Sequence, residues 1–290
     1  MKRMRALIFS KHRTLQLKSL LVSLRCLTDL PIESVRVIYV PSETISYTPL
    51  MGEFPCKFIR QTVFLENVRE ALSGGSHEYV LFMVDDLIYR EETSFAQILG
   101  FMDSHQDVSA FSPRMGRNIE SQPMPSFEDC GNGILSWNTS RSLGKHWNYF
   151  WEVSSSIYRR KTVEEYLSHC RAWRETFPNP FEWHYYSCLP NTRSRNFAKL
   201  YLSLRYPFRR QAQRMACFEK SRCCTQGVNL VAERESGVPD RFSCEELHRK
   251  MMDGYVIDFR PLRHADISAP NAGAGYFSLV KKSELLKEGF

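Results

Sequence analysis

Two adjacent carboxylates, Asp85 and Asp86, follow six apolar or aromatic residues, Tyr79-Val80-Leu81-Phe82-Met83-Val84, and precede Leu87-Ile88-Tyr89. The run is bounded by Gly74-Gly75 and Arg90-Glu91-Glu92. It predicts a strand buried on both faces. Carboxylates are seldom buried without a partner, so the pair is expected where the strand ends, at the open edge of a sheet. In open α/β sheets ligands bind at that edge. Carboxylates side by side repel each other, and a divalent cation removes the repulsion. Mg²⁺ and Mn²⁺ take oxygen ligands and commonly share a site with substrate phosphates. Taken alone, the pair is also met by two residues capping the next helix with no metal.

The chain has 290 residues, enough for one large α/β domain. Hydrophobic content of 43% and charged content of 24% are ordinary for a globular protein. No stretch approaches the ~20 apolar residues of a membrane span. The N-terminus is basic and then apolar only over Ala6–Phe9, too short for a secretory core, and reads as a first strand. Nine cysteines, odd in number and irregularly spaced, point to a reducing compartment and a cytoplasmic location. Cys217, Cys223 and Cys224 lack the paired spacing of a zinc site and read as structural. The net charge is +7, and Arg193–Arg222 holds nine Lys or Arg against one acid, Glu219. Interleaved with Tyr201, Leu204 and Phe208, that stretch reads as an amphipathic surface for an anionic membrane or anionic glycan. No nucleic-acid module is recognised.

In order, the pattern predicts a strand over Arg5–Ser10 and a helix capped by Thr14, with Leu17, Leu20, Leu21, Leu24 and Leu27 on its apolar face. A strand follows at Val35–Val40, then a helix at Glu66–Ser73 and the strand Tyr79–Val84. A helix over Thr93–Ser104 and a strand over Val108–Pro113 come next. Ser243-Cys244-Glu245-Glu246 is a capping box opening a helix that ends near Gly254. No Gly-rich phosphate loop follows the first strand, against an NAD- or ATP-type fold.

Val84-Asp85-Asp86 resembles the acidic motif of the GT-A glycosyltransferases. Phe9-Ser10-Lys11-His12-Arg13-Thr14-Leu15-Gln16-Leu17 is similar to the opening of a bacterial and viral family-2-like group of them, and Val37–Ser42 to the end of that group's second strand. The resemblance implies a GT-A fold, an α/β domain with a mixed, mainly parallel sheet flanked by helices, here with a basic helical appendage. It implies a third strand over Lys57–Phe64. It implies Mn²⁺ or Mg²⁺ at Asp86, and Asp85 on the ribose or assisting the metal. Ser10, Lys11, Arg13, Tyr39 and Ser42 become nucleotide contacts. Arg13 can pair bidentately with a phosphate, and Tyr39 can stack on a base. Single-domain organisation over 1–290 is expected, with a nucleotide-sugar half (1–115) and an acceptor half (116–290) carrying a basic insertion (192–222).

The aromatic segment His146–Arg160 fits a carbohydrate site, or a core segment. Where the group usually carries an Asp-Gly pair, this chain has Ser154-Ser155. Phe177-Pro178-Asn179-Pro180-Phe181-Glu182 resembles the group's acceptor-side helix, with Asn179 as cap and Glu182 in the first turn. Glu182 is the expected base for the acceptor hydroxyl. Met215–Phe218 and Val228–Val231 resemble two late strands. The histidine that often completes the group's metal site is missing near Asn271–Gly275, which leaves His264. The implied activity is metal-dependent transfer of a hexosyl or pentosyl unit from a UDP- or GDP-sugar to a glycan or lipid-linked acceptor, in polysaccharide biosynthesis. Nucleic acid is not an expected partner; for the basic stretch a peripheral membrane contact and a solvated face with no partner both stay open. A nucleotidyltransferase and an inactive glycan-binding protein remain alternatives.

Overall fold

The structure, a computed structural model, describes residues 3–187, 213–229 and 242–287. The chain opens with β1 (Met4–Lys11), α1 (Thr14–Leu27), β2 (Val35–Val40), α2 (Thr48–Glu53), β3 (Lys57–Arg60) and α3 (Phe64–Leu72). Next come β4 (Tyr79–Val84), β5 (Leu87–Tyr89), α4 (Phe95–Ser104), β6 (Val108–Phe111), β7 (Glu128–Asp129) and β8 (Ile134–Asn138). They are followed by β9 (Ile157–Arg159), α5 (Arg160–His169), α6 (Pro178–Ser187), β10 (Arg214–Phe218) and β11 (Cys223–Gln226). The last described segment holds α7 (Cys244–Met252), β12 (Tyr255–Ile257), α8 (Arg260–His264), β13 (Asn271–Ala272), β14 (Leu279–Lys281) and α9 (Lys282–Lys287).

Among the described residues the main sheet has nine strands in the order β3-β2-β1-β4-β9-β6-β10-β8-β7. β1 to β4 run parallel, and β6 and β10 share a parallel pairing, while β9 and β8 run against their neighbours. The α/β class expected from the sequence, a mixed, mainly parallel sheet flanked by helices, is the class observed. Alternation along the strands splits the core in two. Met4, Ala6 and Ile8 of β1, with Leu81 and Met83 of β4, pack with the leucines of α1. Leu7, Phe9, Val80 and Phe82 face the other way, among Phe64, Trp151 and Phe181. α1 is buried almost all round, Gln16, Lys18 and Ser19 included, because β12 and α7 cover its second side. Each fully buried leucine there contributes roughly 1.5–3 kcal/mol.

Several boundaries differ from expectation. Thr14 is not a cap: its hydroxyl bonds His248 Nδ1 at 2.8 Å, a tertiary contact that wins over the local one. The third strand stops at Arg60, since Phe64 and Leu65 turn inward as the first residues of α3. Leu87–Tyr89 leaves the main sheet to form a second one, β13-β11-β5. The second late strand is Cys223–Gln226; Val228 and Asn229 lie in a bend, and 230–231 lie outside the described residues. Arg90 is no polar boundary. It is fully buried and donates to the Leu262, Ala265 and Ser221 carbonyls and the Ser221 hydroxyl, which compensates its charge. Most of the basic stretch, through residue 212, lies outside the described residues. Its Arg214 is a sheet residue ion-paired with Asp107 and Glu128, so it is not part of a free basic face. The Ser243 cap is as expected, its hydroxyl accepting from Glu246 N at 3.0 Å. No helix among the described residues is long and apolar enough to cross a membrane.

Candidate active site

The strand order reverses at β1, which has β2 on one side and β4 on the other. At such a switch point the helices leave in opposite directions and open a crevice at the carboxyl ends of the strands. β1 ends there in Lys11-His12-Arg13, and β4 ends there in Asp85-Asp86. His12 adopts φ of 59°, a left-handed turn that brings Arg13 back over the sheet edge.

Arg13 meets both carboxylates. Its Nη2 is ion-paired with Asp85 Oδ1, and Nη1 stands 3.0 Å from Asp86 Oδ2. Nη1 also donates to the Asn229 carbonyl at 3.2 Å. Asp85 is completely buried, and its Oδ2 accepts from the Lys11 amide at 3.3 Å. Burial pushes the Asp85 carboxyl up, against the opposing pull of Arg13. Asp86 is the more accessible of the two, with 13% of its side chain exposed.

The other nucleotide candidates lie at or just past the carboxyl ends of β1 and β2. The Ser10 hydroxyl pairs with Tyr47 Oη at 2.8 Å. Tyr39 lies beside Ser10 in the β1–β2 register, its ring 4.7 Å from that of Tyr47. Lys11 places its ammonium 5.3 Å from the centre of the Phe177 ring. Ser42 lies in the loop after β2, its amide donating to the Ile45 carbonyl. His264 ends α8 and is exposed. Among the described residues no group of three or more His, Cys, Asp or Glu side chains could hold a metal ion.

A second cluster is delivered to the same edge by β6 and β9. Because β9 runs antiparallel to β4, the segment before it, Glu152–Ser156, lies at the carboxyl end of β4. Glu152 is buried and accepts from Arg114 Nη2 at 2.6 Å, Ser156 Oγ at 2.6 Å and Ser155 Oγ at 3.2 Å. Arg114 follows β6. Burial works against its charge, but Glu152, and further off Glu182 and Asp86, hold it above its ordinary value. One guanidinium thus stands within electrostatic reach of the acidic motif and of Glu182.

Glu182 is placed by its neighbour. Phe181 is buried among Phe64, Phe82, Trp151 and Tyr166. This fixes the rotation of α6 and turns Glu182 toward Tyr149, whose hydroxyl it accepts. The helix starts at Pro178, whose fixed φ suits a first turn, so Glu182 lies past the first turn and Asn179 inside it. A dipole role for Glu182 is thereby replaced by a part-buried one beside Tyr149. Its carboxyl is pushed up to about 8, by burial first and then by Glu152. Tyr149, Arg114 and the Val153 amide oppose the shift.

Of the two readings of the aromatic segment, a carbohydrate site or a core segment, its largest rings follow the second: Trp147 and Trp151 are fully buried and Phe150 nearly so. Exposed rings are found instead at Trp173 (78%), Trp183 (54%) and Phe177 (43%), on either side of Glu182 in sequence. Sequence reading also passed over Arg114, Tyr149, Glu152 and Tyr47. Only Glu152 carried a local signal, a lone acid inside an apolar run.

No family model matches the chain. Over 139 residues it is 24% identical to the bifunctional glycosyltransferase pgtA of Dictyostelium discoideum, a match covering 42% of this chain and 18% of the relative. The chain therefore spans less than a fifth of that protein's length through the match. TarS of S. aureus aligns with a TM-score of 0.45 at 15% identity, over 76% of this chain and 36% of that one. A mannosyltransferase from Pyrobaculum calidifontis, in complex with GDP-Man and Mn²⁺, gives 0.34 at 12% identity, over 56% and 46%. A cytidylyltransferase from Leptospira borgpetersenii gives 0.36 at 13%, over 62% and 68%. The resemblance to glycosyltransferases read from the sequence agrees with this sequence relative.

Proposed function

We propose that this chain, which resembles the GT-A nucleotide-sugar glycosyltransferases, moves a sugar from a nucleotide-diphospho-sugar to a glycan or lipid-linked acceptor. The observation that carries the reading is the pairing, across Arg114, of an acidic pair at the sheet's switch point with a carboxyl raised into the neutral range. The first set suits a phosphorylated donor and the second an acceptor hydroxyl.

Ser10, Tyr39 and Ser42 bind the nucleoside along the ends of β1 and β2. Lys11 and Arg13 face its phosphates. Asp85, buried against Arg13 and the Lys11 amide, fixes the guanidinium in the crevice. Oxygen donors at a partly open carboxylate fit a hard divalent cation, Mg²⁺ or Mn²⁺, which keeps several waters and needs one or two protein carboxylates. Asp86 would hold it, with His264 the candidate for a second ligand. When bound, the ion supplies Lewis-acid stabilisation of the departing diphosphate. Glu182, once ionised, takes the proton of the acceptor hydroxyl, and Tyr149 holds its carboxyl in place by hydrogen bonding. Attack from the face opposite the leaving group inverts the anomeric centre. Residues 1–115 serve the donor and 116–290 the acceptor. The basic stretch, on its sequence alone, supports salt-sensitive attachment to an anionic membrane.

Thermal shift with UDP, GDP, CTP and ATP, each with Mn²⁺, tests the reading. Stabilisation by UDP or GDP supports it. Stabilisation by the triphosphates alone favours a nucleotidyltransferase.

A further inference from the structure

Gln226 closes β11 directly across from Asp86. Its amide donates to the Asp86 carbonyl at 2.7 Å, continuing the antiparallel register Cys224↔Ile88 and Thr225↔Leu87. Gln226 therefore sits beside the Asp86 backbone, one residue beyond the β5–β11 ladder, at the place where the acidic pair turns out of β4. It is fully buried, and neither Nε2 nor Oε1 has a hydrogen-bond partner. A buried group left unpaired costs on the order of 1–3 kcal/mol, and an amide unpaired at both ends is rare in a fold. The orphan atoms continue nearby: Arg13 Nε and Gln16 Oε1 are also buried and unpaired. Asp85 and Asp86 together carry two negative charges against the one positive charge of Arg13.

We propose that Gln226 is a ligand of a divalent cation at Asp86, its Oε1 adding a neutral oxygen to the carboxylate. The inference rests on the reading of Asp86 given above. Side-chain amide oxygens are among the ligands hard cations accept. A cation there takes up the net negative charge and gives the buried carbonyl oxygen its missing partner. A search for acidic, imidazole and thiol ligands passes over such a residue.

The test is Mn²⁺ titration of the purified chain, followed by electron paramagnetic resonance of the free ion, with and without UDP or GDP. Gln226→Leu should weaken Mn²⁺ binding by about 10-fold or more, the scale on which support of a metal site is felt. The metal-free variant should melt at or above the temperature of the unmodified protein, because leucine removes an unpaired buried amide. Gln226→Glu should tighten Mn²⁺ binding. Unchanged Mn²⁺ affinity in Gln226→Leu overturns the proposal. So does a drop of several degrees in its metal-free Tm, which would show that the amide has a partner within the fold. Absence of Mn²⁺ binding by the unmodified protein, with and without nucleotide, overturns it too. If Mn²⁺ binding depends on Gln226 and no sugar nucleotide is turned over, the inference stands and glycosyl transfer falls. If turnover proceeds in EDTA, glycosyl transfer stands and the inference falls.

Discussion

Arg13 Nη1 stands 3.0 Å from Asp86 Oδ2, so the residue read from the sequence as a phosphate ligand is also a counter-charge of the acidic motif. The two carboxylates are not equivalent under it. Asp85 is sealed against the guanidinium, while Asp86 keeps an open side.

That asymmetry separates two substitutions. Asp85→Ala breaks a buried ion pair and should cost about 3–5 kcal/mol, read as a fall in the denaturation midpoint. Asp86→Ala leaves Arg13 paired with Asp85. It should keep nearly full stability and lose transfer with Mn²⁺ present. Near-wild-type turnover of Asp86→Ala removes Asp86 from the mechanism.

The raised carboxyl of Glu182 sets a pH profile. As base it must be ionised, so turnover should rise with pH through about 8. Glu182→Gln should lower turnover about 10²–10⁴-fold with donor affinity little changed, and should flatten that limb. Stability runs the other way. The fold keeps a proton on Glu182 that the unfolded chain has lost above the ordinary carboxylate range. Stability should therefore fall as pH rises from there to about 8. Denaturation midpoints of Glu182→Gln should lack this decline.

Glu152 is one source of that shift, second to burial. Removing its charge leaves Arg114 to act on Glu182 unopposed. Glu152→Gln keeps the side chain's shape and one accepting oxygen, and turns the other from an acceptor into a donor. The midpoint of its pH–turnover profile should move below about 8. A midpoint that does not move shows that the base is not Glu182, or that Glu152 does not act on it.

Phe177 and Trp183 are exposed and flank Glu182 in sequence. Aromatic faces pack well against sugar C–H surfaces, so Phe177→Ser and Trp183→Ser should raise acceptor KM several-fold. Donor hydrolysis and Tm should stay close to those of the unmodified protein, because neither ring is in the core. Loss of donor hydrolysis in Trp183→Ser would place that ring on the donor side.

The strand Tyr79–Val84 and the buried leucines of α1 were legible because burial on both faces leaves a continuous apolar run, and burial of one helix face a 3.6-residue period. The position of Asp85-Asp86 followed from the cost of burying carboxylates inside the sheet. The Arg13 ion pairs were not legible, since nothing in Lys11-His12-Arg13 says that the turn folds back over β4. Glu152 and Arg114 reach the edge through β9 and β6, whose pairing joins residues about 50 apart in the chain. Trp147 and Trp151 were ambiguous because an aromatic run reads alike in a core and in a sugar site. Gln226 carried no signal at all: its meaning lies in the residue opposite it, and cross-strand pairing is not written locally.

The most direct measurement is a donor screen on the purified full chain. UDP- and GDP-sugars, and separately nucleoside triphosphates with sugar phosphates, are incubated with Mn²⁺, and the released products are resolved. The account predicts slow release of UDP or GDP from a sugar nucleotide, lost in Asp86→Ala. Pyrophosphate release from a triphosphate, with no nucleoside diphosphate formed from any sugar nucleotide, would contradict it.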